Sequence, residues 1–216
     1  MIKQKVLENK GISDHLTPGY QHHDALWFHQ DQHITYKPLA GKIWALFPDV
    51  KNILEIGCGA GSLAYWLRDF NKDYNIVTLD GNKDTTASPY LRESLDKHFI
   101  IRTDEDYDLV ETSTNTTIKF DLVVCYEHLE HIEKTRLDKW IEMLNKHTHK
   151  GSVFLGSASH LDYNPRVHVT LESRKWWGEK FGPYGWREYV ADVLNEYTVP
   201  FNFEMKNSYQ INLIRD

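Results

Sequence analysis

Cysteine is scarce in this chain: Cys58 and Cys125 are its only two, and each stands at the end of an apolar run. That excludes a disulfide-built scaffold and fits a reducing, cytoplasmic setting. Long apolar stretches are missing too. The opening segment MIKQKVLENKGISDH mixes charged and apolar residues, so neither a signal peptide nor a membrane anchor is expected. Nor is there a basic excess. Lys+Arg number 25 against 31 Asp+Glu, and a formal net charge of −6 argues against a nucleic acid as the main partner. No repeat or low-complexity linker interrupts the 216 residues, enough for one domain with a proper core. What the chain has in excess is histidine, with 12 residues, and aromatic side chains, at 13%.

Apolar strand-like runs alternate with helical spacings, which predicts an α/β fold with a mostly parallel sheet flanked by helices. The runs are NILEIG (52–57), NIVTLD (75–80), HFIIRT (98–103), FDLVVCY (120–126), SVFLGSAS (152–159) and the tail SYQINLIRD (208–216). Helical spacing appears in Ser62–Phe70, with Leu63, Trp66, Leu67 and Phe70, and in Leu137–Leu144, with Leu137, Trp140, Ile141 and Leu144. A further helix is expected over Glu172–Phe181, closed by Gly182-Pro183, and one over Leu39–Phe47. Polar, Thr-rich Tyr107–Lys119 reads as a loop. Residues 1–49 are polar, aromatic and His-rich, and read as a cap over the ligand edge of a core spanning 50–216.

Within NILEIGCGAGSL, glycines stand at alternate positions directly after a strand: Gly57, Gly59 and Gly61. A tight strand-to-helix turn needs such residues for positive φ and for close approach of a ligand. The pattern is E-x-G-x-G-x-G. Ser62 stands where the dinucleotide fingerprint requires glycine, and no Gly-Lys-Ser/Thr follows, so no pyrophosphate cradle is indicated. Asp80 ends the second strand, where an acid can accept hydrogen bonds from both ribose hydroxyls. Thr103-Asp104 follows the third strand, where an adenine edge would lie. Together these describe a nucleoside without phosphates, and S-adenosylmethionine (SAM) is the obvious candidate; Glu55 would back the turn.

On LEIGCGAGS, VTLDGN, the Asp104 region and FDLVVCYEHLEHI, the stretch from Asn52 to Ser159 resembles class I SAM-dependent methyltransferases. The resemblance implies a Rossmann-like, seven-stranded, mostly parallel sheet with helices on both faces. It also implies that Gly57, Cys58, Gly59, Asp80, Gly81, Asp104 and Tyr126 lie near the cofactor, with Glu55, Gly61 and Asn82 beside them. In HFIIRTDEDYDL, Glu105 and Asp106 adjoin Asp104, so the adenine contact has three candidate positions.

CYEHLEHIE begins where the fourth strand ends. As the start of a helix it would set Glu127, Glu130 and His131 on one face, at i, i+3 and i+4. Two carboxylates and an imidazole could bind Mg²⁺ or Mn²⁺, with His160 or His168 as a fourth ligand. Alternatively His131, aided by Glu127 and His168, would act directly as the acid or base, or the acids would simply stabilise a helix start. Ubiquinone-pathway O-methyltransferases and small-RNA 3′-terminal ribose methyltransferases look similar here, with E-x-x-E-H and a later His, and imply a metal that holds substrate hydroxyls. RVHVTLESRKWWGEKFGPYGW resembles a methyltransferase subset common around surface-polysaccharide and phage genes. Its Trp176-Trp177 pair is expected to pack the core. His22, His23, His29 and His33 form no recognised zinc pattern and are expected to contribute contacts rather than chemistry.

The expected function is SAM-dependent methylation of an oxygen on a small hydroxylated metabolite or sugar. The alternatives are an RNA terminal-ribose 2′-O-methyltransferase and a non-catalytic SAM-binding module.

Overall fold

The computed structural model describes residues 1–5, 33–160, 168–189 and 208–216. Strands β1 (Ile2–Lys5), β2 (Asn52–Ile56), β3 (Asn75–Asp80), β4 (His98–Ile100), β5 (Asp108–Glu111), β6 (Phe120–Cys125), β7 (Thr148–Ser159), β8 (Trp186–Glu188) and β9 (Ser208–Arg215) alternate with four α-helices. These are α1 (Lys37–Leu46), α2 (Ser62–Phe70), α3 (Leu137–Lys146) and α4 (Arg174–Phe181). Seven strands form the main sheet in the order β4-β3-β2-β6-β7-β9-β8. The pairs from β4 through β7 are parallel, and β9 runs antiparallel to both β7 and β8.

Strand alternation builds two cores, one on each face of this sheet. Ile53, Ile76, Leu122, Val124 and Leu155 point to one face and meet Leu39 and Ile43 of α1 and Leu63 and Leu67 of α2. Leu54, Val77, Val123 and Phe154 point to the other and meet Trp140, Ile141 and Leu144 of α3 and Trp177 and Phe181 of α4. Central strands buried on both faces explain why β2, β3 and β6 read as near-continuous apolar runs. Pro38 sits in the first turn of α1, where its missing N–H costs nothing.

Three elements differ from expectation. The stretch taken as a loop contains β5, which pairs antiparallel with β1 in a separate two-stranded sheet. Leu109 and Val110 of β5 are fully buried inside an otherwise polar segment, and Leu109 and Ile2 join the α3-side core. The third strand stops at Ile100 rather than running to Thr103. Strand β8 is only three residues long, too short for a period to show in the sequence. The part of the expected cap between residues 6 and 32 lies outside the described residues.

Candidate active site

The sheet changes its direction of winding between β2 and β6, so the crevice beyond their carboxyl ends is where an open α/β sheet takes its ligand. The glycine turn fills one side of that crevice. Gly57, Gly59 and Gly61 have φ of 71°, 51° and 75°, the left-handed region that L side chains resist. Gly57 also has no room: a Cβ there would lie 2.5 Å from Nδ1 of His128. The turn is tied back to the sheet by the N–H groups of Gly57 and Cys58, both donating to the Leu79 carbonyl, at 2.9 and 3.1 Å. Gly61, at the N-cap of α2, has no side chain to cap the helix. Glu55 supplies the cap from β2, accepting the Ala64 N–H at 3.2 Å. Burial pushes the Glu55 carboxyl up to about 8, although the Arg68 guanidinium pulls the other way. Glu55 therefore braces the turn in its neutral form near pH 7.

Asp80, at the tip of β3, accepts the Gly59 N–H on one oxygen and the Asn82 N–H on the other, both at 2.8 Å. Each carboxylate oxygen has two lone pairs, so both keep acceptor capacity for ribose hydroxyls. This donor set fits a nucleoside that carries no phosphate. The turn brings backbone close to a ligand, and an acid rather than a lysine faces it. Cys58 is buried, its thiol raised well above the ordinary range by burial, and it touches His98, itself held between Thr78 and Thr85 at 2.9 and 2.8 Å. Gly81 lies over the Ile101 carbonyl, 3.8 Å from where a Cβ would sit. The Asn82 side chain caps the following short turn by accepting the Asp84 N–H at 2.9 Å. Asp104 makes ion pairs with Arg102 and Arg136, each at 2.8 Å; burial would raise its carboxyl, but the two guanidinium groups outweigh it and hold it below the usual range. The neighbouring Thr103 is buried, its hydroxyl 2.9 Å from Nε2 of His128. Tyr126 is half-buried against the α1–α2 core.

EHLEH is not a helix. Glu127 has a positive φ of 51°, unusual for a residue with a side chain, and only a single short turn, Leu129–His131, follows. The buried Leu129 anchors that turn in the α3-side core. Three of the four expected cation ligands still converge. Glu130, His131 and His168 each offer a ligand atom, all within 4.8 Å of one another. Backbone pairing brings His168 there from a distant segment: the N–H groups of Val169 and Thr170 both donate to the Glu130 carbonyl, at 2.8 and 3.0 Å, and the Thr170 hydroxyl donates to the Ile132 carbonyl at 2.6 Å. The His131 and His168 rings meet edge to face, 4.9 Å between centroids.

Glu130 is completely buried, and neither carboxyl oxygen has a well-aligned hydrogen-bond partner, although the Ser159 N–H and the Glu127 side chain stand close to it. Burial pushes its carboxyl well above the usual range, and the Glu127 carboxylate raises it further. A buried acid beside a second acid and two imidazoles calls for positive charge, either a proton or a cation. The donor set, one carboxyl oxygen with two imidazole nitrogens, fits a divalent metal. Glu127 itself is held differently. Its oxygens accept the hydroxyls of Ser157 and Ser208, at 2.5 and 2.8 Å, and its N–H donates to the Ser157 oxygen at 3.1 Å.

His160, the other expected ligand, stacks on Tyr209 with ring centroids 4.3 Å apart. Trp177 is fully buried in the α3-side core, as expected for a packing residue, and Trp176 meets it edge to face. His33 stacks on Tyr90 and Trp66, while His22, His23 and His29 lie outside the described residues. Sequence reasoning missed His128, Ser157 and Ser208. The signal available for the two serines was a hydroxyl at the carboxyl end of β7 and another at the start of its neighbour β9, which only the pairing of Ser159 with Ser208 brings together.

A family model described as a methyltransferase domain matches residues 27–201. No curated protein sequence matches the chain. Among solved structures, the chain is similar to Burkholderia thailandensis 1,6-didemethyltoxoflavin-N1-methyltransferase, with bound 1,6-didemethyltoxoflavin and S-adenosylhomocysteine. The identity is 14% and the TM-score 0.66, over 91% of this chain and 84% of that one. It is also similar to the mitomycin 7-O-methyltransferase MmcR, at 15% identity and a TM-score of 0.56, over 83% of this chain and 54% of that one. The methyltransferase domain of bacterial CtHen1-CN gives 16% identity and a TM-score of 0.56, over 87% of this chain and 100% of that one. At these identities the likeness speaks for the fold, and the chain spans about half the length of the mitomycin enzyme. Among the described residues, no helix is long and apolar enough to cross a membrane. With the family model covering most of the sequence, the chain belongs to the methyltransferase-domain family and is a class I SAM-dependent methyltransferase.

Proposed function

We propose that this enzyme transfers the SAM methyl to an oxygen of a small hydroxylated acceptor, and that Glu130, His131 and His168 hold a divalent cation beside it. One observation carries the reading: a fully buried Glu130 carboxyl with an oxygen within 4.8 Å of a ring nitrogen on each of His131 and His168. Burying that much unmatched polarity costs stability unless a ligand uses it. Asp80 and the Gly57–Gly61 turn would hold the ribose and the methionine end of SAM. With Asp104 committed to two arginines, Thr103 and His128 take the adenine end. Methyl transfer is an in-line displacement, so these residues act chiefly by fixing the methyl and the acceptor oxygen in line. A bound Mg²⁺ or Mn²⁺ would lower the pKa of the acceptor hydroxyl. On this reading the chain is a single catalytic domain, with α1 and β1 built into its cores and the segment between them serving as the cap.

A second acceptor class deserves a test because E-x-x-E-H with a later His resembles the terminal-ribose methyltransferases. The net charge of −6 counts against RNA. The experiment follows S-adenosylhomocysteine release from SAM and Mn²⁺ with catechols, sugars, nucleosides and a short RNA oligonucleotide. Turnover with one small hydroxylated class, abolished by EDTA and by Glu130→Ala, is expected. Undiminished turnover in EDTA would remove the cation, acceptance of RNA alone would replace the acceptor class, and no product with any acceptor would favour a binding module.

A further inference from the structure

Glu127 presents a problem that the cation reading does not solve. It was expected as a ligand beside Glu130 and His131, yet it lies outside the group of three whose ligand atoms approach within 4.8 Å. Its backbone is in the left-handed region, at φ 51°, a conformation that residues with a side chain resist. Such a conformation persists only where its surroundings hold it, and it tends to mark a functional position. Two hydroxyls do the holding here. Ser157, fully buried on β7, donates to one carboxylate oxygen at 2.5 Å and accepts the Glu127 N–H at 3.1 Å, so it fixes both ends of the residue. Ser208, the first residue of β9, donates to the other oxygen at 2.8 Å.

Three strands therefore meet on one carboxylate. Glu127 stands two residues past the end of β6, Ser157 stands near the end of β7, and Ser208 opens β9 opposite Ser159. A hydroxyl turned toward an apolar core would be a cost, and either serine could be alanine if packing were its sole task. Both instead spend their single O–H on the same acid. That acid stands three residues before Glu130, in the same EHLEH segment that supplies two of the converging ligand atoms.

We infer that Ser157 and Ser208 are positioning residues of the acceptor site, which clamp the Glu127 carboxylate beside the Glu130–His131–His168 group and so set its affinity for a divalent cation. The inference rests on the cation reading above. It adds that the site is built from the far side of the sheet as well as from EHLEH, and that β9 contributes to it. Groups that orient a carboxylate at a metal site without touching the metal typically change affinity by about 10–100-fold when removed.

The test is Mn²⁺ affinity of the full-length protein, measured by titration calorimetry and by the loss of the aqueous Mn²⁺ signal in electron paramagnetic resonance. Wild type, Ser208→Ala, Ser208→Thr and Ser157→Ala are compared, with S-adenosylhomocysteine affinity as the control for an intact fold. Ser208→Ala is expected to weaken Mn²⁺ by about tenfold and leave the cofactor product unaffected, while Ser208→Thr, which keeps the hydroxyl, restores binding. Ser208 is only half-buried at the first position of its strand, so its variants decide the matter even if Ser157→Ala fails to fold. Unchanged or tighter Mn²⁺ binding in Ser208→Ala, beside a wild type that binds, overturns the serine assignment and leaves the cation reading standing. A wild type that binds no Mn²⁺ overturns both.

Discussion

Replacing Gly57 with alanine asks whether the glycine turn is set by backbone conformation alone or also by its neighbour. Two separable costs follow from the geometry. Alanine at φ 71° is disfavoured by about 1–2 kcal/mol wherever it occurs. In addition, its Cβ would lie 2.5 Å from Nδ1 and 2.6 Å from Cγ of His128, well inside contact distance, so the imidazole has to move. Moving it breaks the 2.9 Å bond between Nε2 and the Thr103 hydroxyl, and a hydrogen bond between buried neutral groups contributes about 1 kcal/mol. Burial lowers the His128 pKa to about 4, so the ring is neutral at pH 7 and no change of charge confuses the result.

Gly57→Ala should therefore cost about 2–3 kcal/mol in wild type but only the backbone share, about 1–2 kcal/mol, in a His128→Ala background. Urea unfolding of the four proteins of this double-mutant cycle reads the difference directly, with a coupling of about 1 kcal/mol expected. Titration with S-adenosylhomocysteine should show the same pattern, because the turn and His128 line one crevice. A coupling below about 0.3 kcal/mol, the range of independent sites, would refute the claim that the His128 ring is what requires glycine at position 57.

Two further outcomes test the cofactor side. Asp80→Ala removes a charged acceptor for both ribose hydroxyls, each such bond worth about 1.5–3 kcal/mol, so S-adenosylhomocysteine should bind at least a hundredfold more weakly by calorimetry; affinity within threefold of wild type would take Asp80 out of the site. Glu55→Gln keeps the shape of the brace without the charge. The Glu55 carboxyl is raised from 4.5 to about 8 in the folded protein, so the unfolded chain releases its proton first and wild type loses stability as pH rises across that window. Relative to wild type, the glutamine variant should gain up to about 1.4 kcal/mol per pH unit between those values and level off above pH 8; a difference that does not change with pH would show that Glu55 is ionised in the fold.

The cofactor half of this enzyme was legible in the sequence because its determinants are local. Gly57, Gly59 and Gly61 sit within five residues of one another, and the need for positive φ is a property of each residue and its immediate neighbours. Strands β2, β3 and β6 read clearly because each is buried on both faces and needs apolar residues at nearly every position. Where local sequence misled, tertiary contacts decided. Asp104 has the right residue type at the right offset, and what the offset did not show is that it pairs with Arg136, 32 positions away, as well as with the nearby Arg102. Leu109 and Val110 gave too little period to reveal β5, whose partner is the remote β1.

The acceptor half follows the same logic in reverse. EHLEH suggested a helix because i, i+3 and i+4 share a face, yet the chain brings Glu130 and His131 together with His168 by hooking two backbone N–H groups onto the Glu130 carbonyl. Convergence came from two consecutive backbone N–H groups meeting one remote carbonyl, which leaves no period in the sequence. Glu127 follows suit, because the serines that hold it are 30 and 81 positions away. A site whose cofactor cradle is written locally and whose acceptor groups are assembled from distant strands can change its substrate without disturbing its cofactor. On the proposed function, that physical division is why the glycine turn points to the chemistry, while the acceptor is to be sought around Glu127, Glu130, His131 and His168.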